Sequence, residues 1–268
     1  DGTRHQMWIL QDPAIIKKVA ESMSKKSIFI ADGHHRYETS RNFRNIMRAR
    51  YGMRTANRSY EYTMMYLTNM DDEGLTILPS HRILKSAPNF QINPFFERIK
   101  RWFDITKSQL PLPNTARERT ALKQRLKEGG QHNPTFGFYH KGDDQLYILS
   151  LKPGAIEMVG DDLHPMLKRL DVLVLSRLIL QKGLGFSKED LDDDKVFHYE
   201  SSVGTAMSHV QSGDYQMTFL LNPTKMEHVK EIASKSLIMP RKSTYFYPKI
   251  LTGLVFNKID PYETIQIT

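Results

Sequence analysis

The sequence contains no cysteine, which excludes disulfide bonds and metal sites built on thiolates. It also contains no apolar run approaching the ~18 residues of a membrane span, so we expect a protein that does not cross a membrane. Neither the glycine fingerprint of dinucleotide-binding folds nor the nucleophile elbow of serine hydrolases occurs. The sequence therefore argues against both of these enzyme classes, and the absence of cysteine fits a cytoplasmic protein.

Charge is not concentrated in any one block, although the net charge is +8, from 38 Lys and Arg against 30 Asp and Glu. Arg41, Arg44 and Arg48 share one face of a predicted helix, opposite its apolar face, which is typical of a solvated surface. No nucleic-acid-binding motif accompanies them. Nucleic-acid binding is therefore left open but not favoured, since phosphorylated small molecules account for the excess equally well. The oligomeric state is also left open.

The 268 residues, 40% of them hydrophobic, suffice for one large or two ordinary globular domains. Strand-like and helical patterns alternate near both ends, and the clearest β-hairpin, residues 136–151, lies in the middle. We therefore predict an α/β protein with a mixed sheet, helices on its faces, and a middle lobe containing a β-hairpin and helices. The motif-bearing core is predicted to combine residues 1–90 and 191–268, and the middle lobe to span residues 91–190.

Two further expectations concern the ends of the chain. The order strand, helix, strand, helix between residues 196 and 234 predicts crossover units and parallel pairing. The chain begins at Asp1 rather than at an initiator Met, so we expect an amino-terminal part of the full protein to be absent.

Residues 27–38 (SIFIADGHHRYE) combine several polar groups with a predicted change of secondary structure. Residues 28–31 are typical of a short buried strand, Asp32 and Gly33 break it, and helical spacing begins at His34. In open α/β sheets, binding groups lie at the carboxyl end of a strand. The first N–H groups of a helix lack internal partners and favour anions. We therefore predict that an anion, most simply a nucleotide phosphate, binds at Gly33, His34, His35 and Arg36.

A purely structural interpretation of this stretch is also open, with Asp32 as the helix N-cap and Gly33 as a turn residue. However, the helix dipole favours acidic residues in a first turn, and this turn carries three residues that can be cationic. A bound anion would remove that conflict. A metal hydrolase fits less well, because His34 and His35 are adjacent, whereas two ligands on one helix face need a separation of three or four residues.

Phosphoryl transfer needs cations around the phosphates, usually a divalent metal, and a carboxylate that orients the attacking hydroxyl. Asp32 is the nearest candidate for the catalytic carboxylate and for a metal ligand, and Glu38 is the second catalytic candidate. Further phosphate ligands are predicted near the last strand-like segment: Lys242, Ser243, Thr244 and Lys249. A second His-Arg pair, His81 and Arg82, is a candidate for substrate binding.

Three segments, IADGHHRYETS, YTMMYLTNMDDEGLTILPSHRILK and MPRKSTYFYPKILTGLV, resemble the bacterial and archaeal family called domain of unknown function 1015. This resemblance runs over essentially the whole chain. The DGHHR run at residues 32–36 is also similar to the phosphate-binding motif of the ParB/sulfiredoxin-like superfamily. Free-serine kinases of that superfamily carry a very similar run.

The second resemblance implies a nucleotide-dependent kinase that uses ATP or ADP with Mg²⁺ and phosphorylates a free hydroxyl amino acid such as serine. The acidic catalytic residue that those kinases carry upstream is not visible in this sequence. The superfamily also contains nucleotide-sensing and DNA-binding regulators, so a non-catalytic regulator is the alternative. In either case the expected ligand is a small phosphate-containing molecule.

Overall fold

The structure, a computed structural model, describes residues 4–52, 57–235 and 237–265. The chain divides into two compact units. We call Asp1–Thr76 with Pro248–Thr268 the terminal unit, and Ile77–Tyr247 the central unit. In the part of the chain that is described, every helix is too short or too polar to cross a bilayer.

The described residues of the terminal unit form two α-helices, α1 (Pro13–Met23) and α2 (His34–Tyr51), and a 3₁₀ turn at Ser59–Glu61. Helix α1 begins as its sequence predicts, because the Asp12 side chain accepts hydrogen bonds from the N–H groups of Ala14 and Ile15. Proline at the first helical position loses no hydrogen bond there.

Among its described residues, the central unit has eight strands, the first of which begins at the boundary residue Thr76. The strands are β1 (Thr76–Leu78), β2 (His81–Leu84), β3 (Phe103–Lys107), β4 (Thr135–His140), β5 (Tyr147–Leu151), β6 (Phe197–Glu200), β7 (Met217–Leu220) and β8 (Tyr245–Tyr247). Its α-helices are α3 (Ile92–Ile99), α4 (Ala116–Gly129), α5 (Pro165–Lys168), α6 (Asp171–Val174), α7 (Val203–Gln211) and α8 (Met226–Ser234). A π-helical segment, Leu175–Gln181, continues α6.

Six of these strands form one antiparallel sheet in the order β3-β5-β4-β7-β2-β6, while β1 and β8 form a separate two-stranded sheet. The predicted hairpin is confirmed as β4 and β5. Successive side chains of a strand point to opposite faces, so the sheet has an apolar layer on each side. One layer is centred on aromatic side chains, with Phe138 stacked on Phe219 at 4.9 Å between ring centroids. The other packs Ile83 and Leu220 with α4 and α7. The predicted α/β class is confirmed.

Strands β6 and β7 do not pair with each other, although the order strand, helix, strand predicted parallel pairing. Each pairs antiparallel with β2, which lies between them. They therefore run in the same direction with α7 as the connection, and an earlier segment of the chain occupies the position between them. The expectation of direct parallel pairing is wrong because the intervening strand comes from far away in the sequence.

The observed division of the chain differs from the predicted boundaries at residues 90 and 191. Strands β6 and β7, from the predicted core, share a sheet with β3, β4 and β5 from the predicted middle lobe. The apolar run 28–31, which the sequence suggested as a short buried strand, lies in no strand of the structure. A β-strand requires a hydrogen-bonded neighbour, so an apolar run alone does not define one.

Candidate functional site

The DGHHR run lies at the start of α2, and its glycine is the N-cap. Gly33 adopts a left-handed conformation with φ 85° and ψ 27°, which a residue without a Cβ enters without strain. No side chain in the described part of the chain caps this helix start. Asp32 is therefore not the N-cap, contrary to the structural interpretation of the sequence. An added Cβ at Gly33 would also lie 2.9 Å from Nη2 of Arg36.

The first turn of α2 carries positive potential, and Asp32 lies just before it in the chain. It contains no acidic residue, and His34, His35 and Arg36 occupy its first three positions. All three residues are exposed to solvent. Because the N-terminal N–H groups of a helix carry partial positive charge, this arrangement favours an anionic ligand.

Asp32 lies beside this turn and is held by two cations. Its Oδ2 atom lies 3.2 Å from Nζ of Lys249 and 3.6 Å from Nη2 of Arg36. Burial alone would raise the pKa of the Asp32 carboxyl. The hydrogen bond and charge of Lys249, the Gly33 N–H and the charge of Arg36 outweigh that effect and hold the pKa below its ordinary value. Asp32 is thus ionised at neutral pH, and it is better suited to bind cations than to remove protons.

Glu38, the second predicted catalytic carboxylate, lies exposed in the second turn of α2. Among the described residues, no group of three or more His, Asp or Glu side chains is arranged to hold a metal ion. A single carboxylate still fits Mg²⁺, which proteins commonly bind through one or two carboxylates together with substrate phosphates. Asp32 could therefore hold Mg²⁺ in the company of a nucleotide.

The other predicted site residues belong to the central unit. His81 and Arg82 lie in β2, where both are buried. Nδ1 of His81 accepts a hydrogen bond from the N–H of Leu221 at 3.1 Å. Burial lowers the pKa of His81 to about 3, and the charges of Lys123 and Arg82 act in the same direction. The His81 ring is therefore neutral at physiological pH.

The loop before β8 contains Lys242, Ser243 and Thr244. The Ser243 hydroxyl donates to the carbonyl of Pro240 at 2.6 Å, and the Thr224 hydroxyl donates to the carbonyl of Ser243 at the same distance. The Ser243 hydroxyl proton is thus engaged in a hydrogen bond within the loop. Its role as a phosphate donor stays a prediction.

The structure thus brings Asp32, Gly33, Arg36 and Lys249 together within the terminal unit. The remaining predicted site residues of the previous two paragraphs belong to the central unit. Sequence analysis missed Tyr199, whose ring lies 4.8 Å from Cζ of Arg82. These two residues are directly opposite in the pairing of β2 with β6. No sequence signal could have linked them, because that pairing joins segments more than a hundred residues apart.

Sequence analysis also missed Asp171, at the first position of α6. Burial raises the pKa of its carboxyl to about 7, despite the opposing charge of Lys225. A carboxylate with this behaviour titrates near neutral pH. Its position in a short apolar stretch was the only available signal.

Comparisons with known proteins identify one family. The family described as Protein of unknown function (DUF1015) has a model that matches residues 1–173. A comparison with curated proteins finds no match.

Several solved structures are similar to the chain. A conserved hypothetical protein from Pyrococcus furiosus is 14% identical, with coverage of 87% of this chain and 82% of that one and a TM-score of 0.40. A free serine kinase in complex with AMP is 13% identical, with coverage of 89% and 81% and a TM-score of 0.42. A mutant of a free serine kinase in complex with ADP is 12% identical, with coverage of 88% and 81% and a TM-score of 0.42.

Proposed function

We propose that this chain, which belongs to the DUF1015 family, binds the phosphates of a nucleotide at residues 33–36 and uses it to phosphorylate a small hydroxyl amino acid such as serine. The observation that carries the proposal is the start of α2. An 18-residue helix begins there at a left-handed glycine. Its first turn contains no acidic residue, and no side chain of the described residues caps it.

Phosphate oxygens suit this helix start for two physical reasons. The N–H groups of the first turn have no partner within the helix and point towards the N-terminus, where the helix dipole favours negative charge. Arg36 adds a planar guanidinium that can donate two parallel hydrogen bonds to a phosphate. His34 and His35 add ring N–H donors. We assign these residues to the phosphates of ATP or ADP.

Asp32 is assigned to the acceptor side of the reaction. In the transfer, the bond between the terminal phosphorus and its bridging oxygen breaks and the shortened nucleotide leaves with that oxygen. The acceptor oxygen forms the new bond to phosphorus, and its proton passes to solvent water. The low pKa makes Asp32 a weak base, so its main contribution would be to orient the acceptor hydroxyl or to hold Mg²⁺. Mg²⁺ would neutralise phosphate charge when bound. Lys249 is assigned to the phosphates and Glu38 is the second candidate for the carboxylate.

The residues of the central unit are not needed for this site. The assignments of Lys242, Ser243 and Thr244 to phosphate and of His81 and Arg82 to substrate remain predictions. The likeness of residues 32–36 to the ParB/sulfiredoxin-like motif also remains a prediction, and it supports the choice of serine as acceptor.

Nucleotide binding can be tested by calorimetry with AMP, ADP and ATP. Removing one charge-assisted contact costs ~1.5–3 kcal/mol, so Arg36→Ala should weaken binding by about ten- to more than a hundredfold. Arg41→Ala is the matched control, because it removes the same charge from an exposed position of the same helix. Equal affinities for the wild-type protein and Arg36→Ala would contradict the proposed phosphate site.

Phosphoryl transfer is a separate question with its own assay. The protein is incubated with ATP or ADP, Mg²⁺ and a panel of amino acids, and phosphoserine is followed by phosphorus NMR. We expect serine to be phosphorylated, and Asp32→Asn to slow turnover while nucleotide binding is kept. Binding without transfer to any acceptor would favour the non-catalytic, nucleotide-sensing alternative. Unchanged turnover in Asp32→Asn would refute the role given to Asp32.

A further inference from the structure

The central unit contains a buried arginine whose partners are all neutral. Arg82 is 5% exposed, and its guanidinium donates to the backbone carbonyls of Ser80 and Lys242, the second at 3.0 Å. Its third contact is the face of the Tyr199 ring. No carboxylate of the described residues forms an ion pair with it. A buried charge without an opposite charge is costly, so this arrangement calls for an anion.

A second cation lies at the same aromatic ring. Nζ of Lys242 is 5.1 Å from the centroid of the Tyr199 ring. The backbone of Lys242 has φ 55°, in the left-handed region that a non-glycine residue seldom adopts. Three hydrogen bonds fix this loop: Arg82 to the Lys242 carbonyl, Ser243 Oγ to the Pro240 carbonyl, and Thr224 Oγ1 to the Ser243 carbonyl. Backbone strain that the surroundings enforce is concentrated at functional sites.

The acidic residues near the ring do not neutralise these two cations. Asp192 forms an ion pair with Arg241 at 3.1 Å, and both side chains are exposed. Burial raises the pKa of the Tyr199 hydroxyl, Asp194 and Asp192 raise it further, and Arg82 and Arg241 oppose them. The phenol is therefore uncharged at neutral pH. Among the described residues, no carboxylate forms an ion pair with Arg82 or Lys242.

We propose that Arg82 and Lys242 form an oxyanion-binding site in the central unit, which takes the carboxylate or phosphate group of a small metabolite. Lys242 is exposed and gives the anion access from solvent. A guanidinium has five N–H donors, of which the two carbonyls use only part, and its planar fork suits both carboxylate and phosphate. This site does not rest on the proposed nucleotide site, whose residues lie in the terminal unit.

The test is an NMR titration of isotope-labelled protein with inorganic phosphate and, separately, with malonate, at constant ionic strength. The amide signals of Lys242 and Tyr199 should shift and saturate with at least one probe. Tighter binding of phosphate than of malonate would identify a phosphorylated ligand, and the reverse order a carboxylic acid. Lys242→Ala should weaken binding about tenfold. Arg82→Lys, which keeps the charge but removes the planar fork, should weaken it at least as much.

Arg241→Ala is the matched control, because it removes a neighbouring cation that already has a carboxylate partner. Its affinity for phosphate should stay within about twofold of the wild-type value, since exposed ion pairs contribute little. If Arg82→Lys does not fold, the exposed Lys242→Ala variant still decides. Equal losses in Lys242→Ala and Arg241→Ala would overturn the proposal. A shift confined to the amides of Gly33 and Arg36 would also overturn it, while supporting the nucleotide site.

Discussion

Replacing His81 with asparagine should make the protein less sensitive to mild acid. The His81 side chain is 1% exposed, and its Nδ1 atom accepts a hydrogen bond from the Leu221 N–H. Its Nε2 atom has no hydrogen-bond partner among the described residues. Burial lowers its pKa to about 3 in the folded protein, whereas an exposed histidine has a value of 6.5. The folded state therefore keeps a neutral ring that the unfolded state protonates.

The size of the effect follows from this difference in pKa. Between the two pKa values the unfolded state binds one more proton than the folded state, so the free energy of unfolding falls as the pH falls, by ~1.4 kcal/mol per pH unit. Between pH 7 and pH 5, His81 alone should cost about 2 kcal/mol. That loss is a substantial fraction of the ~5–15 kcal/mol that stabilises a typical folded protein.

Urea unfolding of the wild-type protein and His81→Asn at pH 7, 6 and 5 measures this contribution. Asparagine can keep an acceptor for the Leu221 N–H but does not titrate, so the difference between the two proteins isolates the imidazole. The variant should gain about 2 kcal/mol relative to the wild-type protein between pH 7 and pH 5. His132→Asn, at an exposed position, should follow the wild-type curve. Parallel curves for wild type and His81→Asn would refute the reasoning.

Three further changes test the packing, the local structure and the second buried titratable group. The pH dependence of stability that Asp171 causes should have the opposite sign to that of His81. Burial raises the pKa of the Asp171 carboxyl from 3.8 to about 7, so the stability that its protonated form contributes below pH 3.8 is lost as the pH rises to 7. In urea unfolding, Asp171→Asn should therefore gain about 2 kcal/mol relative to wild type between pH 5 and pH 7, and a constant difference would contradict this. Phe138→Ala should lower the free energy of unfolding by ~3–5 kcal/mol, because Phe138 is fully buried. The same change at the exposed Phe256 should cost little, and similar losses in the two variants would contradict the assigned core. Thr115→Ala should lower the free energy of unfolding by ~0.5–2 kcal/mol, because it removes the capping box of α4. Thr115→Ser keeps the hydroxyl and should retain the wild-type stability. An unchanged free energy of unfolding in Thr115→Ala would exclude a stabilising cap.

Local features of this protein were readable from the sequence. Asp12 and Pro13 fix the start of α1, and the change of spacing at His34 marks the start of α2. The hairpin of β4 and β5 and membership of the DUF1015 family were also predicted, although the family model matches residues 1–173 rather than the whole chain. At the candidate site, the sequence predicted the unusual cationic first turn, but not that Lys249 binds Asp32. That ion pair joins residues far apart in the chain.

The sequence by itself determined where helices begin, where the hairpin turns and which short run carries the phosphate-binding prediction. These features depend on residues within one or two turns of each other, through capping hydrogen bonds and the steric freedom of glycine. Only the tertiary structure decided that β2 lies between β6 and β7, and that Arg82 thereby faces Tyr199 while its guanidinium holds the carbonyl of Lys242. A strand's own residues specify its alternating faces but not its neighbours, because the partner is chosen by packing and backbone hydrogen bonds across distant parts of the chain.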